Sequence, residues 1–493
     1  LELGGSGSAG NIRGTLTINS GATARLTGTD ALGYQSGTAV TQVNINGGTL
    51  DAATTGNNGL IANFSLTGGT VSGTGRMDFS TGYGITTLAS GTSSVFSAPM
   101  MLRDGNNMSI NVADGEASTD LLFSGAIVEQ NDNSGITKSS DGTLSLTGNN
   151  TYSGTTTVSG GTLAFSGGTN SLGNASVNNG TLTFSGNAAV TMSSIGVQDW
   201  QTVQFQDNAD VTLSSGLSVS HLASRFNLFG GTLRTPSIAG SMVVWQMNLG
   251  SIHLAGTRIV ATADNDNFIT LNGWESWNVI FVKPEGAIFD TAGHDIGIHY
   301  TLANEGGAGT LTKLGAGTLT LYAGDSYAGI YSGPTTVSNG TLLVNGTIGN
   351  SAVSVASGAT LGGTSTLAGA VTLESGAMLA PGAATNQIGT LTLSGTAPAL
   401  SGCGLVADVS ATSGVCDLLA LSGAADLTGL TVTVKTTGTL PSANTYVLIS
   451  STGTLSGTPT LAGDLPSSAW RLSVKNGNAL VLEKIVGTMI LLY

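Results

Sequence analysis

The residues best suited to bind a ligand are gathered between Gly196 and Glu305. Trp245, Trp274 and Trp277 lie in this stretch, and the large amphipathic face of a Trp ring can stack on a sugar ring. Elsewhere the faces of the predicted strands carry mostly Thr, Ser, Asn and Gly. We therefore predict these three Trp residues as candidate ligand contacts. The alternative is that they fill the core of an enlarged coil.

Acidic residues of the same stretch suggest two other kinds of chemistry. Asp264 and Asp266 belong to an Asp-Asn-Asp-Asn run whose oxygens suit Ca²⁺, although the Gly and Glu of an EF-hand loop are missing. A solvated turn is the alternative, so the pair is a weak metal candidate. His294 lies beside Asp295 and four residues after Asp290, a spacing compatible with acid–base chemistry. We nevertheless predict no catalytic residue and no cofactor.

The chain has two cysteines, Cys403 and Cys416. In an oxidising compartment such a pair can close a short loop with a disulfide, which is our expectation here. The alternative is two buried thiols on neighbouring strands, since backbone geometry and not sequence spacing decides whether the bond can form.

Composition limits the class of protein. The 493 residues carry a net charge of −14 and only 9% charged side chains, which argues against nucleic acid as a partner because phosphates require basic surfaces. Apolar residues alternate with polar ones, and no run of about 20 apolar residues could span a bilayer. The first residues lack the basic start of a signal peptide, so we expect a processed or truncated beginning. The apolar residues 484–493 are interpreted as a final strand or the remainder of an anchor.

A repeated phrase indicates which elements position these residues. Gly-Thr-Leu followed by alternating residues begins at Gly142, Gly161 and Gly180, which are 19 residues apart, and again at Gly317 and Gly340. A Gly-Ala variant follows at positions 358 and 376. A period near 20 is typical of a solenoid. Short strands without intervening helices predict an all-β fold, a right-handed single-stranded parallel β-helix with a β-rich C-terminal cap.

The alternation also predicts which side chains fill the core. Leu144 and Leu146 are two residues apart and therefore share one face of a strand, whereas Thr143, Thr162 and Thr181 belong to the opposite face. By the same argument ten apolar side chains are expected to point inward: Leu144, Leu146, Leu163, Phe165, Leu182, Phe184, Leu319, Leu321, Leu342 and Val344.

These phrases resemble the passenger-associated transport repeats of bacterial autotransporter-type passenger proteins. One copy begins at Gly135-Ile-Thr-Lys138 and ends at Gly167. The other begins at Leu311-Thr-Lys-Leu-Gly and continues through Ser326-Tyr327, Gly333-Pro-Thr-Thr-Val337 and the phrase ending at Gly346. The resemblance covers about half of the chain, and it implies a β-helical protein that is secreted or held at the bacterial cell surface.

Changes in composition and repeat pattern divide the chain into five parts: N-terminal coils at 1–120, coils with the first repeat at 121–195, atypical coils rich in aromatic and His residues at 196–305, coils with the second repeat at 306–382, and a cap at 383–493. In the cap we expect antiparallel hairpins to replace the coils.

The architecture and the resemblance together predict a non-enzymatic structural or adhesive stalk. It would act through multivalent contact with a glycan or a host or neighbouring cell surface, or through self-association. Two alternatives stay open. One is a polysaccharide lyase or glycoside hydrolase on the same fold, which needs converging carboxylates. The other is a subunit that stacks end to end in a surface assembly.

Overall fold

The computed structural model describes the whole chain except residues 6, 55, 106, 132, 199, 220–223, 242–251, 273–278, 324–329, 385–386, 412–414, 441–444 and 486–493. The described residues form β-strands and connecting loops. Among them, no helix is long and apolar enough to cross a membrane. The chain forms two compact units, Leu1–His253 and Leu254–Tyr493, and the short strand Ile252–Leu254 includes the boundary between them.

The first unit is a stack of coils with three walls, each a parallel sheet. Wall A contains Glu2–Leu3, Thr23–Leu26, Thr49–Ala52, Thr70–Gly73, Ser94–Phe96, Leu121–Phe123, Thr143–Leu146, Thr162–Phe165, Thr181–Phe184, Thr202–Phe205 and Arg225–Leu228. Wall B contains Gly14–Asn19, Val40–Asn46, Asn63–Thr67, Ile85–Thr87, Asn107–Val112, Gly135–Ser139, Thr156–Val158, Ala175–Val177 and Ile238–Ser241. Wall C contains Asn57–Leu60, Arg76–Phe79, Met100–Leu102, Ile127–Glu129, Thr151–Tyr152, Thr169–Leu172 and Thr232–Thr235. Two longer strands, Ala189–Val197 and Asp210–Val219, pair with both wall C and wall B.

The second unit repeats this plan. Wall E contains Arg258–Ala261, Ala287–Asp290, Leu311–Leu314, Thr335–Val337, Val353–Val355 and Val371–Leu373. Wall F contains Asn265–Asn272, Ile296–Ile298, Thr318–Leu321, Thr341–Val344, Thr360–Gly363, Met378–Pro381, Gly404–Ser410, Thr431–Thr437 and Thr460–Gly463. Wall D consists of two sheets, one with Val279–Val282 and Thr301–Asn304, the other with Thr366–Leu367, Thr390–Leu393, Leu418–Leu421, Thr445–Ser451, Ala479–Lys484 and Trp470–Lys475. The short strands Ala425–Asp426 and Leu455–Ser456 form a separate pair.

Successive coils stack in exact sequence register, which produces ladders of identical or similar side chains. Leu144 pairs with Leu163, and Leu163 pairs with Leu182 on the next coil. All ten side chains predicted to point inward are buried, so that prediction is confirmed. The ring centroids of Phe165 and Phe184 lie 5.7 Å apart in a stacked arrangement. Burying each large apolar side chain contributes about 1.5–3 kcal/mol.

Steric contact between coils explains why a glycine opens each repeated phrase. At Gly161, which has φ of +56°, an added Cβ would lie 2.4 Å from the carbonyl oxygen of Gly142 on the preceding coil. At Gly180 it would lie 2.2 Å from the carbonyl oxygen of Gly161. A side chain therefore cannot enter the corner where one coil crosses the next, and only glycine fits the backbone there.

The C-terminal region differs from the expectation in one respect. Parallel coils do not stop at Gly382, because Met378–Pro381 pairs in parallel with Gly404–Ser410, and that strand pairs with Thr431–Thr437. Antiparallel pairing joins Ala479–Lys484 to its two neighbours. The expectation of hairpins directly after Gly382 is therefore wrong: alternation with a period of two is the same in parallel and antiparallel strands and does not distinguish them.

Candidate functional site

The second unit carries a groove on the outward face of wall F, which we call the outer groove. It consists of two depressions, of about 490 Å³ and about 200 Å³, that share Thr318, Leu343 and Ala384. Asp264 and Asp266 border the larger one, and the smaller is bordered by Asp408, Asp417 and Lys435.

Small residues and a covering loop shape this groove. The backbone register aligns Leu343 with Gly362, and Gly362 with Ala380, so two of three successive outward positions carry little or no side chain. The chain after Gly382 is held in place where Asn345 Nδ2 donates to the carbonyl oxygen of Ala383 at 2.9 Å. The floor is therefore low, and Ala384 lies at its margin.

At one end of the groove, Asp264 is joined to the next coil. Its Oδ1 accepts a hydrogen bond from the backbone N–H of Asp295 at 3.1 Å and lies 3.0 Å from His294 Nδ1. The bond from Asp295, followed by that of His294, lowers the pKa of Asp264. The carboxylate therefore stays ionised and is partly occupied by its neighbours.

Asp266 takes part in an aromatic cluster. Tyr322 Oη donates to Asp266 Oδ1 at 2.7 Å, and this bond raises the pKa of Tyr322 to about 12. The His299 ring stacks on Tyr322 with centroids 4.0 Å apart. Within the described part of the chain, no group of three or more His, Cys, Asp or Glu residues is placed to hold a metal ion. The weak metal candidate, Asp264 with Asp266, thus consists of two carboxylates engaged by protein donors.

At the other end, Asp408 and Asp417 are brought together by an antiparallel bridge between Val409 and Cys416. Asp417 Oδ2 accepts from the N–H of Asp408 at 2.9 Å, and its Oδ1 accepts from the N–H of Gly389 at 2.8 Å. Burial, supported by the nearby Asp408, raises the pKa of Asp417 to about 6 despite those hydrogen bonds. Two carboxyl groups with unlike surroundings therefore border one depression.

Lys435 brings a positive charge to this end. It is exposed and aligned with Asp408 on the neighbouring strand of wall F. Asp408 itself is buried, and its Oδ1 has no hydrogen-bond partner among the described residues. Lys435 therefore offers an exposed positive charge at this end of the groove, whereas Asp408 Oδ1 is enclosed by protein.

The residues considered for acid–base chemistry around His294 have separate partners: His294 contacts Asp264, and Asp290 does not pair with it. Asp290 instead pairs with Arg258, whose Nε donates to Asp290 Oδ2 at 3.0 Å and whose Nη2 donates to the same oxygen. Burial raises the pKa of Asp290, but the hydrogen bonds from Arg258 and from the N–H of Ala292 outweigh it, and the net shift is downward. This pair joins two adjacent coils of wall E.

The other predicted site residues have different outcomes. Trp245, Trp274 and Trp277 lie outside the described residues, so the prediction that they contact a ligand stays a prediction. The disulfide is not formed, because Cys403 and Cys416 are free thiols. Their sulfurs face different groups: Cys403 Sγ lies 3.6 Å from the carbonyl oxygen of Glu374, and Cys416 Sγ lies 3.2 Å from that of Val447.

Two buried lysines occupy equivalent strand positions in the two units. Lys313 Nζ donates to the carbonyl oxygens of Leu314, Gly315 and Asn339 at 2.9, 2.9 and 3.0 Å, and to Thr291 Oγ1 at 3.1 Å. Removal from water lowers the pKa of Lys313 to about 8. The ammonium group therefore ties three successive coils together.

Lys138 joins two successive coils of the first unit. Its Nζ donates to the carbonyl oxygen of Ser140 and to that of Gly160 on the next coil, at 2.8 Å for Gly160. Burial again lowers the pKa to about 8. A cation with several backbone acceptors is thus a shared feature of the two phrases.

A buried tyrosine accompanies each lysine. Tyr152 Oη lies 2.8 Å from Thr156 Oγ1, and Tyr331 Oη lies 2.7 Å from Thr335 Oγ1. The equivalent of Tyr152 is therefore Tyr331. Ser326 and Tyr327 of the second phrase lie outside the described residues. Because a buried lysine and a buried tyrosine occupy equivalent positions in both stretches, the two stretches are copies of one repeat.

The family model for the passenger-associated-transport-repeat matches residues 136–165 and 311–344. Two segments of this chain are passenger-associated transport repeats. Each contains one of the buried lysines and one of the buried tyrosines described above, and the resemblance stated from the sequence is confirmed.

The comparisons with solved structures and with curated proteins give less information about this chain than the family model does. The crystal structure of the Hap adhesin of Haemophilus influenzae is similar over 96% of this chain, with 12% sequence identity and a TM-score of 0.30. The chain spans 64% of the length of that adhesin. The comparison with curated proteins found no match.

Sequence reasoning missed the converging residues of the outer groove. Asp408, Asp417 and Lys435 lie in the part predicted to be a cap, and no motif links them. A weak signal was present: Asp408 is two residues from Val406 on a strand face otherwise free of charge. A lone acid in such a strand is compatible with a solvated edge as well as with a site.

Proposed function

We propose that this protein is a non-enzymatic β-solenoid that is displayed at, or released from, the bacterial cell surface and makes multivalent contact there. The observation that carries the proposal is the pair of passenger-associated transport repeats at 136–165 and 311–344. The buried Lys and Tyr of both copies fit a role in which these repeats hold coils together.

The outward surface suits contact through many weak interactions. Thr143, Thr162, Thr181 and Thr202 form a ladder on wall A, one hydroxyl on each coil. Repeated identical groups bind weakly one by one, but their effects combine when a partner surface also repeats. Contact along a face therefore needs no deep pocket.

The proposal is tested in the bacterium that makes the protein. Antibodies raised against the folded chain are expected to label intact cells or to detect the protein in the medium. Proteinase added to intact cells is expected to remove the cell-bound signal, with a cytoplasmic protein as the control that survives. Detection of the protein exclusively in the cytoplasmic fraction would overturn the proposal.

One observation favours a second candidate, a glycoside hydrolase. Asp417, with a pKa near 6, and Asp408 border the same depression, and such hydrolases use one protonated and one ionised carboxyl group. Release of reducing sugar from a polysaccharide by the purified chain, lost in Asp417→Asn but kept in Asp264→Asn, would establish this function in place of the first.

A further inference from the structure

The first unit has a polar cleft at the edge of wall C, which we call the Tyr34 cleft. It has a volume of about 430 Å³ and is bordered by Asp30, Tyr34, Gly59, Arg76 and Arg103. The loop of residues 27–39 supplies Asp30 and Tyr34 and lies next to the strand Asn57–Leu60, where Asp30 N donates to the carbonyl oxygen of Asn57 at 3.0 Å. Tyr34 is 48% exposed.

Three different side chains converge above Gly59. A Cβ at that position would lie 3.3 Å from Asp30 Oδ1, 3.4 Å from Tyr34 Cβ and 3.6 Å from Arg103 Nη1. Gly59 aligns with Asp78 and then with Met101 on the outward face of successive coils. The missing side chain at Gly59 therefore leaves a space beside an acceptor on Asp30, the Cβ atom of Tyr34 and a donor on Arg103.

Hydrogen bonds hold these polar groups in place before any ligand arrives. Asp30 Oδ1 accepts from the N–H of Gly59 at 2.7 Å. Arg103 Nε donates to Gln130 Oε1 at 3.0 Å, which orients the guanidinium group while Nη1 remains over Gly59. A group fixed in advance loses less conformational entropy when it binds.

Charges in the cleft are balanced. Arg76 forms two hydrogen bonds to the buried Asp78, at 2.6 and 3.0 Å, and the pair raises the pKa of Arg76. Asp30 and Arg103 supply one charge of each sign. The charged side chains that border the cleft therefore sum to zero, and a ligand with adjacent donors and acceptors can use both Asp30 and Arg103.

We propose that the Tyr34 cleft binds one neutral pyranose ring of a glycan. The ring face packs on Tyr34, because an aromatic face complements the apolar C–H face of a sugar. Adjacent hydroxyls of the sugar donate to Asp30 and accept from Arg103, since a hydroxyl does both. This inference names a partner for the proposed contact function and rests on it for its biological setting.

Binding is measured by NMR titration of the purified chain with the methyl glycosides of glucose, galactose, mannose and N-acetylglucosamine. At least one is expected to bind. Tyr34→Ala is expected to weaken that binding about tenfold or more, the range of a central aromatic contact. Gly59→Val fills the floor with a residue that strands favour and is expected to abolish binding.

Trp200→Ala is the matched control: Trp200 is also an exposed aromatic residue of the first unit, 63% accessible, and does not border the cleft. It is expected to bind like the wild type. Circular dichroism establishes that each variant is folded. Absence of binding by all four sugars, unchanged binding in folded Gly59→Val, or a tenfold preference for glucuronic acid over glucose would each overturn the inference.

These failures are distinct from failure of the proposed function. Surface labelling of intact bacteria does not depend on the cleft, so a chain that is surface-exposed but binds no sugar refutes the inference alone. A chain that binds a sugar through Tyr34 but stays in the cytoplasm refutes the proposed function alone.

Discussion

Replacing Lys313 by Met is expected to destabilise the second unit by up to about 2 kcal/mol. Met keeps the length and the apolar stem of the side chain but removes the ammonium group that donates to three carbonyl oxygens and one hydroxyl. The substitution therefore tests the polar contacts with little change in packing volume.

The magnitude follows from which acceptors lose their donor. Leu314 O keeps hydrogen bonds from Thr291 N and Thr291 Oγ1 at 3.0 and 3.1 Å, so its loss is small. The carbonyl oxygens of Gly315 and Asn339 lose the ammonium group. Leaving a buried acceptor unsatisfied costs about 1–3 kcal/mol, and both residues lie at turns that water can approach. The lower value of about 1 kcal/mol for each gives an upper limit of about 2 kcal/mol, because Met also removes the cost of keeping a desolvated ammonium group, which the lowered pKa of Lys313 reflects.

Urea unfolding followed by far-UV circular dichroism measures the change, with Lys435→Met as the matched control because Lys435 is exposed on the outer face of the same unit. Coils of a solenoid interact with their neighbours, so hydrogen exchange at Asn339 and Gly340 is expected to report local opening first. If Lys313→Met unfolds at the same urea concentration as the control, the ammonium group does not hold these coils together.

Three further predictions concern titration and steric fit. The stability of the wild type relative to Lys313→Met is expected to rise between about pH 8 and pH 10.5, because the unfolded lysine still holds a proton that the folded one has released. If the difference between the unfolding midpoints of the two proteins stays constant across that range, this prediction is contradicted. The stability of the wild type relative to Asp417→Asn is expected to be higher at pH 4 than above pH 6, because the raised pKa of folded Asp417 gives stability that is lost as the pH rises through about 6. Thermal melts at pH 4 and above pH 6 measure this difference, and an equal change in melting temperature at both would contradict it. Gly161→Ala is expected to lower the melting temperature, because the new Cβ would lie 2.4 Å from the carbonyl oxygen of Gly142. The control Gly167→Ala is expected to be tolerated, because its Cβ would have its nearest neighbour at 3.4 Å. Equal melting temperatures for the two variants would show that the coils can move apart.

The sequence by itself determined the coil and the direction of its side chains. Alternation at Leu144 and Leu146, repeated at Leu163 and Leu182, was sufficient because side-chain direction in a strand depends only on position along that strand. A repeat of nearly constant length then places equal positions above one another. The two transport repeats were visible for the same reason, as local phrases.

Burial of the repeat lysines could have been inferred as well. Ile136 and Lys138 are two residues apart, as are Leu311 and Lys313, so each lysine occupies an inward position. Their carbonyl acceptors lie on neighbouring coils, such as Asn339 for Lys313. The pattern therefore contained the direction of the side chain but not the partners that make a buried ammonium group acceptable.

Tertiary structure alone decided the clefts. Asp408 meets Asp417 through a bridge between Val409 and Cys416. Tyr34 and Arg103, which are nearly 70 positions apart in sequence, both lie beside Gly59. These contacts depend on the length and path of the loops between coils, which the repeat period of the sequence does not determine. The strands carry a repeating signal that can be read locally, whereas a binding site is made by side chains whose proximity exists only after the coils have stacked.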